Sequence, residues 1–568
     1  MPLTHTTSGL RHALRTGTSL VLIPLAAIAA DGDNPLTTPG ATRPDFLPPP
    51  GAAFQLPPVA APAAPAPAAP GAATLRFDRA VFRGNTVFST AELEAVAAPY
   101  LGRDISAAEL EEFRQKLTRH YVDRGYVSSG VLLAPESGNQ VALFDVVEGR
   151  LSGVRVSGLE RLNEDYVVRR LVKDADGPLN LELLRERFQL LLGDPLFERM
   201  NGRLTPGERP GEAFFDVDAV RARPYQLSAS LNNYRPPSIG SETFGLSGWV
   251  RNLTGQGDLL EAGLQNSTEN SSGTRGNLAW RLPLGYHGTQ LSIALDRGSS
   301  SVIEEPTKVL GISSKLRSHE IGISQSLFEG LRQKFSIGVD RVHRENDTFL
   351  LGIPFSFNPG EPNGVTKESL WRFWQDYAYR SETSVLALRS TFTWGKNNLQ
   401  AVTGLPGANN PTARFNSWLG QAQYVQQVGG DGAQLVARAT LQQTGDRLLA
   451  LDGMSIGGVN TVRGFRENQL VRDAGAVFNL EFEYPLVRSP GTGLNATVIP
   501  FYDHGRGWNT GEPAAKISSW GLANRVRWQG FSIDLVLAKR LLSPQFAKAA
   551  RSTWQDRGIH AQISYAFF

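Results

Sequence analysis

The chain has 568 residues, a formal net charge of +3, 41% hydrophobic and 20% charged residues, and no cysteine. That balance excludes a disordered chain and a bundle of membrane helices, and the near-neutral charge without a Lys/Arg block gives no footing for nucleic acid. The lack of cysteine removes disulfides, thiolate-bound zinc and thiol catalysis.

At the N-terminus, Arg11 and Arg15 precede an apolar run from Leu20 to Ala30 that ends in Ala27-Ile28-Ala29. This is the layout of a secretory signal peptide, expected over residues 1–30. The run is too short to span a bilayer, and Pro24 interrupts it as a helix. No later stretch offers about 18 consecutive apolar residues, so a membrane-integral mature chain must be a β-barrel. Residues 31–74, from Asp31 through Pro48-Pro49-Pro50 to an Ala-Pro alternation, form a Pro/Ala-rich linker that favours extended conformations.

From Leu75 the pattern predicts a small α/β module. Val81-Phe82-Arg83-Gly84-Asn85 reads as a strand and turn. Ser89-Thr90-Ala91-Glu92 and Ser106-Ala107-Ala108-Glu109 are capping boxes that start two helices. Leu110, Phe113, Leu117 and Tyr121 form one stripe on the second, which stops at Asp123-Arg124-Gly125-Tyr126. Two strands follow, Val127 to Leu133 and Gln140 to Glu148. The order repeats with different sequence: strand Leu151 to Gly158, helices Glu164 to Leu171 and Leu181 to Leu192, strands Leu196 to Leu204 and Ala213 to Ala222. Each copy, taken over 75–150 and 151–223, resembles a POTRA domain.

From Tyr225 to Phe568 the helical period disappears. Segments of about ten alternating residues lie between Gly, Asn, Asp and Pro turns, the signature of a transmembrane barrel of about sixteen strands over 225–568. Ala476, Phe478, Leu480, Phe482 and Tyr484 take one face, and Asn479, Glu481 and Glu483 the other. Phe531, Ile533, Leu535 and Leu537 oppose Ser532, Asp534 and Ala538; Val526 and Trp528 oppose Arg525 and Arg527. Charges of both signs on the second face fit a polar lumen. The final alternation, Ile559, Ala561, Ile563, Tyr565, Phe567, runs one residue out of phase with Phe568.

Within this region a Gly-rich stretch, Ser455-Ile456-Gly457-Gly458-Val459-Asn460, leads into Val462-Arg463-Gly464-Phe465, and a later strand carries Phe501-Tyr502-Asp503-His504-Gly505. An arginine on a pliable loop can reach a carboxylate on a later strand in a bidentate fork that lysine does not reproduce. By residue type alone Arg463 could also pair with solvent or a nearby carboxylate. Asp446 to Arg472 is too apolar, at Ile456, Val459, Val462 and Phe465, for a simple surface loop, so it is expected to fold inward and bring Arg463 to Asp503. Gly453-Met454-Ser455-Ile456-Gly457 matches a nucleophile elbow in letters, but no helix is predicted after it, so no catalytic residue is assigned. The eight histidines show no metal spacing, His504 reads as a packed or outward neighbour, and no phosphate-binding loop occurs. Metal, cofactor and nucleotide are not expected, and the chain does not read as an enzyme.

Together these features resemble the two-partner secretion transporters (TpsB type, the ShlB/FhaC/HecB haemolysin secretion/activation family) of the POTRA-barrel superfamily. The resemblance implies an outer-membrane transporter of a Gram-negative bacterium, POTRA domains in the periplasm, secreting an unfolded β-rich exoprotein of TpsA type. It implies lipid and the barrel-assembly machinery as further partners, and neither nucleic acid nor nucleotide. Val462, Arg463, Gly464, Phe465, Phe501, Asp503 and Gly505 would lock the loop to the barrel. Substrate would be captured by strand addition at the Val127–Leu133 strand and the Ser106–Arg124 helix, through Val127, Val131, Leu133, Leu110 and Phe113. Members often carry a plug helix ahead of the first POTRA domain, and here prolines interrupt every such stretch before Thr74. The alternatives are a barrel-assembly insertase of the same superfamily and a porin-like channel. N-terminal sequencing should find the mature chain starting near Ala30 or Asp31, and the protein should fractionate with the outer membrane. An intact Met1 or recovery in the soluble fraction would remove the basis for this reading.

Overall fold

The computed structural model describes residues 75–567 apart from 139, 173–176, 270–272, 401–409 and 547–550. The leader over 1–30, the linker over 31–74 and Phe568 lie outside the described residues. Three units follow one another: two small α+β modules and a closed antiparallel barrel.

In the first module the strands Arg79–Arg83, Val141–Val147 and Gly130–Leu133 lie side by side in that order, the first pair parallel and the second antiparallel. Helices Thr90–Ala97 and Ala107–Val122 cover one face, and Leu93, Phe113, Leu117, Tyr121, Val131 and Phe144 are fully buried between the layers. The longer helix starts on a complete capping box: Glu109 N–H donates to Ser106 Oγ, and Glu109 Oε2 accepts from the Ser106 backbone N–H. That backbone hydrogen bond, then the one from Arg103, holds the Glu109 carboxyl at about 2. Because the shift is downward, the cap's contribution is present above the ordinary carboxylate range and is lost only as the pH falls toward that value.

The second module repeats the plan with strands Arg150–Ser157, Glu212–Arg221 and Phe197–Pro206 and helices Asp165–Leu171 and Leu181–Leu192. Its core centres on Val167, Phe188, Phe215 and Val217. One expected element begins later than the sequence suggests. The strand expected from Val127 starts at Gly130; Val127 to Ser129 make a turn, with Ser129 N–H donating to the Tyr126 carbonyl, and Val127 packs on the second module's core.

The barrel closes when the first strand, Tyr225–Asn232, pairs with the last, Ile559–Ala566. Sixteen strands form the wall, and Ile353–Pro354 is an extra two-residue piece beside Gln333–Leu350. No described helix is long and apolar enough to cross a membrane; here the strands cross. Their alternation sorts the wall as expected, with Phe478, Leu480, Phe482 and Tyr484 exposed outward and Asn479 and Glu481 buried inward. The second module sits against the short turns at one barrel end: Asn163 N–H donates to the Gly255 carbonyl (2.8 Å), and Leu331 N–H to Glu186 (3.3 Å). The long loops therefore lie at the opposite end.

Phe113 stacks on Tyr100 and meets Phe144 edge-on, both with centroids 4.8 Å away. Phe113→Ala should remove about 3–5 kcal/mol from the first module. Limited proteolysis should then cut within residues 75–149 while the heat-modifiable barrel band persists. An unchanged digest, or loss of the barrel band, would contradict a separately packed module.

Candidate functional site

Residues 444–473 join the strands Ala433–Gln443 and Ala474–Ser489 and fold into the lumen. Met454–Ile456 pairs with Leu470–Arg472 as a two-stranded hairpin within the loop. Ile456, Val462 and Phe465 are fully buried with Val477 and Ile517 of the wall, and Val459 packs against Ile499, Phe501, Ala523 and Val536. Burying such side chains is worth about 1.5–3 kcal/mol each, which sets the loop's inward preference. Ser455 lies in the hairpin and is followed by a turn rather than a helix, so the esterase-like letters do not form an elbow.

At the tip the Arg463 guanidinium forks onto Asp503, Nε to Oδ2 at 2.8 Å and Nη2 to Oδ1 at 2.7 Å. Its backbone N–H also donates to Asp503 Oδ2 (3.0 Å), and Nη1 lies 2.7 Å from Glu481 Oε1. The guanidinium carbon stands over the Phe501 ring, 3.6 Å from its centroid, a cation–π contact. Asn479 Nδ2 donates to Asp503 Oδ1 (2.8 Å) and to the Thr461 carbonyl, and Arg438 forks onto Glu481 at 3.0 and 2.9 Å. Asp503 is 0% exposed, Glu481 5% and Arg463 6%, so these three charges are held away from bulk water, while Arg438 is partly exposed. Removing one partner of such a pair costs about 3–5 kcal/mol because the other charge stays buried.

Two glycines make the fit possible. Gly464 has φ +86, and a Cβ there would meet Ala538 Cβ at 2.7 Å. A Cβ on Gly505 would come within 2.4 Å of Ile456 and 2.8 Å of Val462. The structure thus brings Val462, Arg463, Gly464, Phe465, Phe501, Asp503 and Gly505 into one contact region.

Further anchors hold the loop. Arg447 bridges Asp473 (3.3 Å) and Glu512 (2.8 Å), and Asp452 reaches Arg344 on the strand Gln333–Leu350 (3.1 Å). Gly464 N–H donates to His560 Nε2 (3.0 Å), and Arg540 Nε donates to the Gly464 carbonyl (2.7 Å). Arg466 joins Glu304 (2.9 Å) and Asp556 (2.7 Å) of two outer loops. A cavity of about 620 Å³ remains between the loop and the wall, lined among others by Arg344, Asp452, Asn460 and Glu467. Sequence reasoning placed Asn479 and Glu481 on the lumen face without joining them to Arg463; alternation was the available signal. His560, Arg540, Arg466 and Gln555 carried none.

The side chains expected to capture substrate face the cores of the modules. Val131 and Phe113 are fully buried in the first module's core, Leu110 and Leu133 pack against it, and Val127 packs on the second module. Alternation turns these side chains inward and leaves Leu132 half exposed. Along that edge strand, Val131 N–H donates to Thr118 Oγ1 (3.1 Å) and its carbonyl accepts from Arg114 Nη1 (3.0 Å).

Comparison with known proteins gives this architecture a family. Residues 211–527, more than half of the chain, match the haemolysin secretion/activation protein family ShlB/FhaC/HecB, and residues 75–149 match the ShlB-type POTRA domain. The outer membrane transporter CdiB of Dickeya dadantii (strain 3937) is 23% identical over 473 residues, covering 82% of this chain and 80% of that protein. The outer membrane transporter CdiB-2 of Burkholderia pseudomallei (strain 1026b) is 24% identical, covering 85% and 81%. The heme/hemopexin transporter protein HuxB of Haemophilus influenzae (strain 86-028NP) is 24% identical over 191 residues, 33% of this chain and 34% of its own. The solved structure of CdiB from Escherichia coli superposes with a TM-score of 0.68 at 19% identity, covering 88% of this chain and 93% of that one, a likeness of fold. The chain belongs to the ShlB/FhaC/HecB haemolysin secretion/activation family, as a two-partner secretion transporter of the outer membrane with its POTRA domains in the periplasm.

Proposed function

We propose that this transporter takes an unfolded, β-rich exoprotein of TpsA type from the periplasm and passes it through the barrel once the Arg463 lock lets the inward loop move. The observation that carries the reading is the Arg463–Asp503–Glu481 contact, which pins the loop across the lumen in the path an exported chain would take. Capture fits strand addition to a module edge, where backbone hydrogen bonds give affinity for any extended segment. At the first module an incoming strand would take over the Val131 backbone groups that Thr118 and Arg114 now hold, so those two side chains keep its place. The heme/hemopexin transporter name of one relative suggests a haem-related exoprotein as one cargo class. The outward apolar belt fits lipid, and insertion would use the barrel-assembly machinery. Folding of the exoprotein outside the cell would draw it through, without nucleotide.

Deleting residues 75–150 should abolish export, measured as exoprotein in the medium, while a heat-modifiable barrel still forms. Export at the wild-type level would place capture elsewhere.

Arg463→Ala should impair export and raise single-channel conductance in planar bilayers without preventing insertion, a loss of about 3–5 kcal/mol at the contact. Arg463→Lys should rescue poorly, since an ammonium lacks the fork. Asp503→Ala should match Arg463→Ala, and the double variant should be no worse than either. Fully additive defects, or normal export by Arg463→Ala, would count against the lock.

A further inference from the structure

We infer that the docked loop also braces the seam where the barrel closes, with Gln555 as the coupling residue. The seam is the weakest join in register: five pairs link Ser228–Asn232 with Gln562–Ala566, against seven for the neighbouring join of Phe531–Leu542 with Ile559–Ala566 and thirteen between Ala474–Ser489 and Leu494–Trp508. Above the ladder, Asn233 continues the seam with its backbone N–H on the Ala561 carbonyl (3.2 Å), its Oδ1 accepting from Ala561 N–H (2.8 Å) and its Nδ2 donating to the Ile559 carbonyl (3.0 Å).

Gln555 ties that clasp to the loop. It is 0% exposed, in the turn just before the last strand. Its Nε2 donates to the carbonyls of Asn233 (2.5 Å) and Arg235 (2.7 Å), beyond the first strand, and its Oε1 accepts the backbone N–H of Glu467 (2.9 Å), in the inward loop. One buried amide therefore satisfies both of its donors on the first-strand side and its acceptor on the loop. The loop holds the last strand directly, through Gly464 N–H on His560 Nε2. Both sides of the seam thus lean on one short stretch of the loop, Gly464 to Glu467. Withdrawing the loop leaves a buried amide oxygen and an imidazole nitrogen without donors, a cost that falls on the seam. The docked loop and the closed seam stabilise each other, and by linkage each reports on the other.

The test needs no cargo, so its outcome is independent of the export reading. The chain has no cysteine, so Asn460→Cys in the loop is a single reporter, labelled by maleimide in the full-length protein in liposomes. Gln555→Leu, similar in size but without hydrogen bonds, should lower the temperature at which the folded band is lost on a cold SDS gel. It should also raise the Asn460→Cys labelling rate by roughly tenfold, within the usual range of coupling between sites. Arg463→Ala should lower the same temperature from the loop side, and Gln555→Leu should add little to it. Should Gln555→Leu fail to insert, Gln555→Glu, which keeps the acceptor for Glu467 and loses the donors to Asn233 and Arg235, is expected to give both shifts. A lower unfolding temperature with unchanged labelling would make Gln555 a local strut and overturn the coupling. Additive effects of Gln555→Leu and Arg463→Ala would overturn it as well.

Discussion

A single buried cation organises the lumen. Arg463 is carried inward on an apolar loop, and a guanidinium out of water is tolerable only where opposite charge and acceptors already wait for it. The wall meets that demand from two adjacent strands, with Asp503 on one and Glu481 and Asn479 on the next. Those residues lie on the lumen face only because strand register fixes which side chains point inward, so a slip of one residue would destroy the site. The missing Cβ atoms at Gly464 and Gly505 serve the same end by letting loop and wall approach closely. Charge and shape are therefore satisfied by one docking geometry.

Much of this was legible in the residues because the governing patterns are local. Period-two alternation marked Phe478, Leu480, Phe482 and Tyr484 as outward and Asn479 and Glu481 as inward, and capping boxes marked the two helices of the first module. The Arg463–Asp503 pairing was legible for another reason: the apolar loop around the arginine had to be buried somewhere, and the strand with Asp503 offered the countercharge. What stayed hidden is long-range and aperiodic. Gln555, His560 and Asn233 are ordinary polar residues in sequence, and only closure of the barrel brings the first and last strands beside the loop. Val131, Phe113 and Leu133, linked to capture by resemblance to the family, face inward, because so small a module needs their apolar side chains for its core. The start of the edge strand slipped by three residues because Val127 reads as strand but serves the contact between modules.

The two modules and the barrel are joined differently. Module meets module through backbone hydrogen bonds, Leu181 N–H to Gly125 and Leu179 N–H to Gly149, with Val127 filling the gap. The second module meets the barrel through polar contacts to its short turns, among them Arg251 to the Pro195 carbonyl and Tyr286 to Asp165. Polar contacts of this kind permit relative motion more readily than a shared core.

The composition of the lock has a consequence for the open conduit. Docked, the loop sets Arg463 beside Arg438 of the wall, against the wall carboxylates Asp503 and Glu481. Withdrawal of the loop carries one of the two positive charges away and leaves both carboxylates on the wall. Glu481 would keep Arg438, so the carboxylate that loses its cationic partner is Asp503, left with the Asn479 amide and entering water.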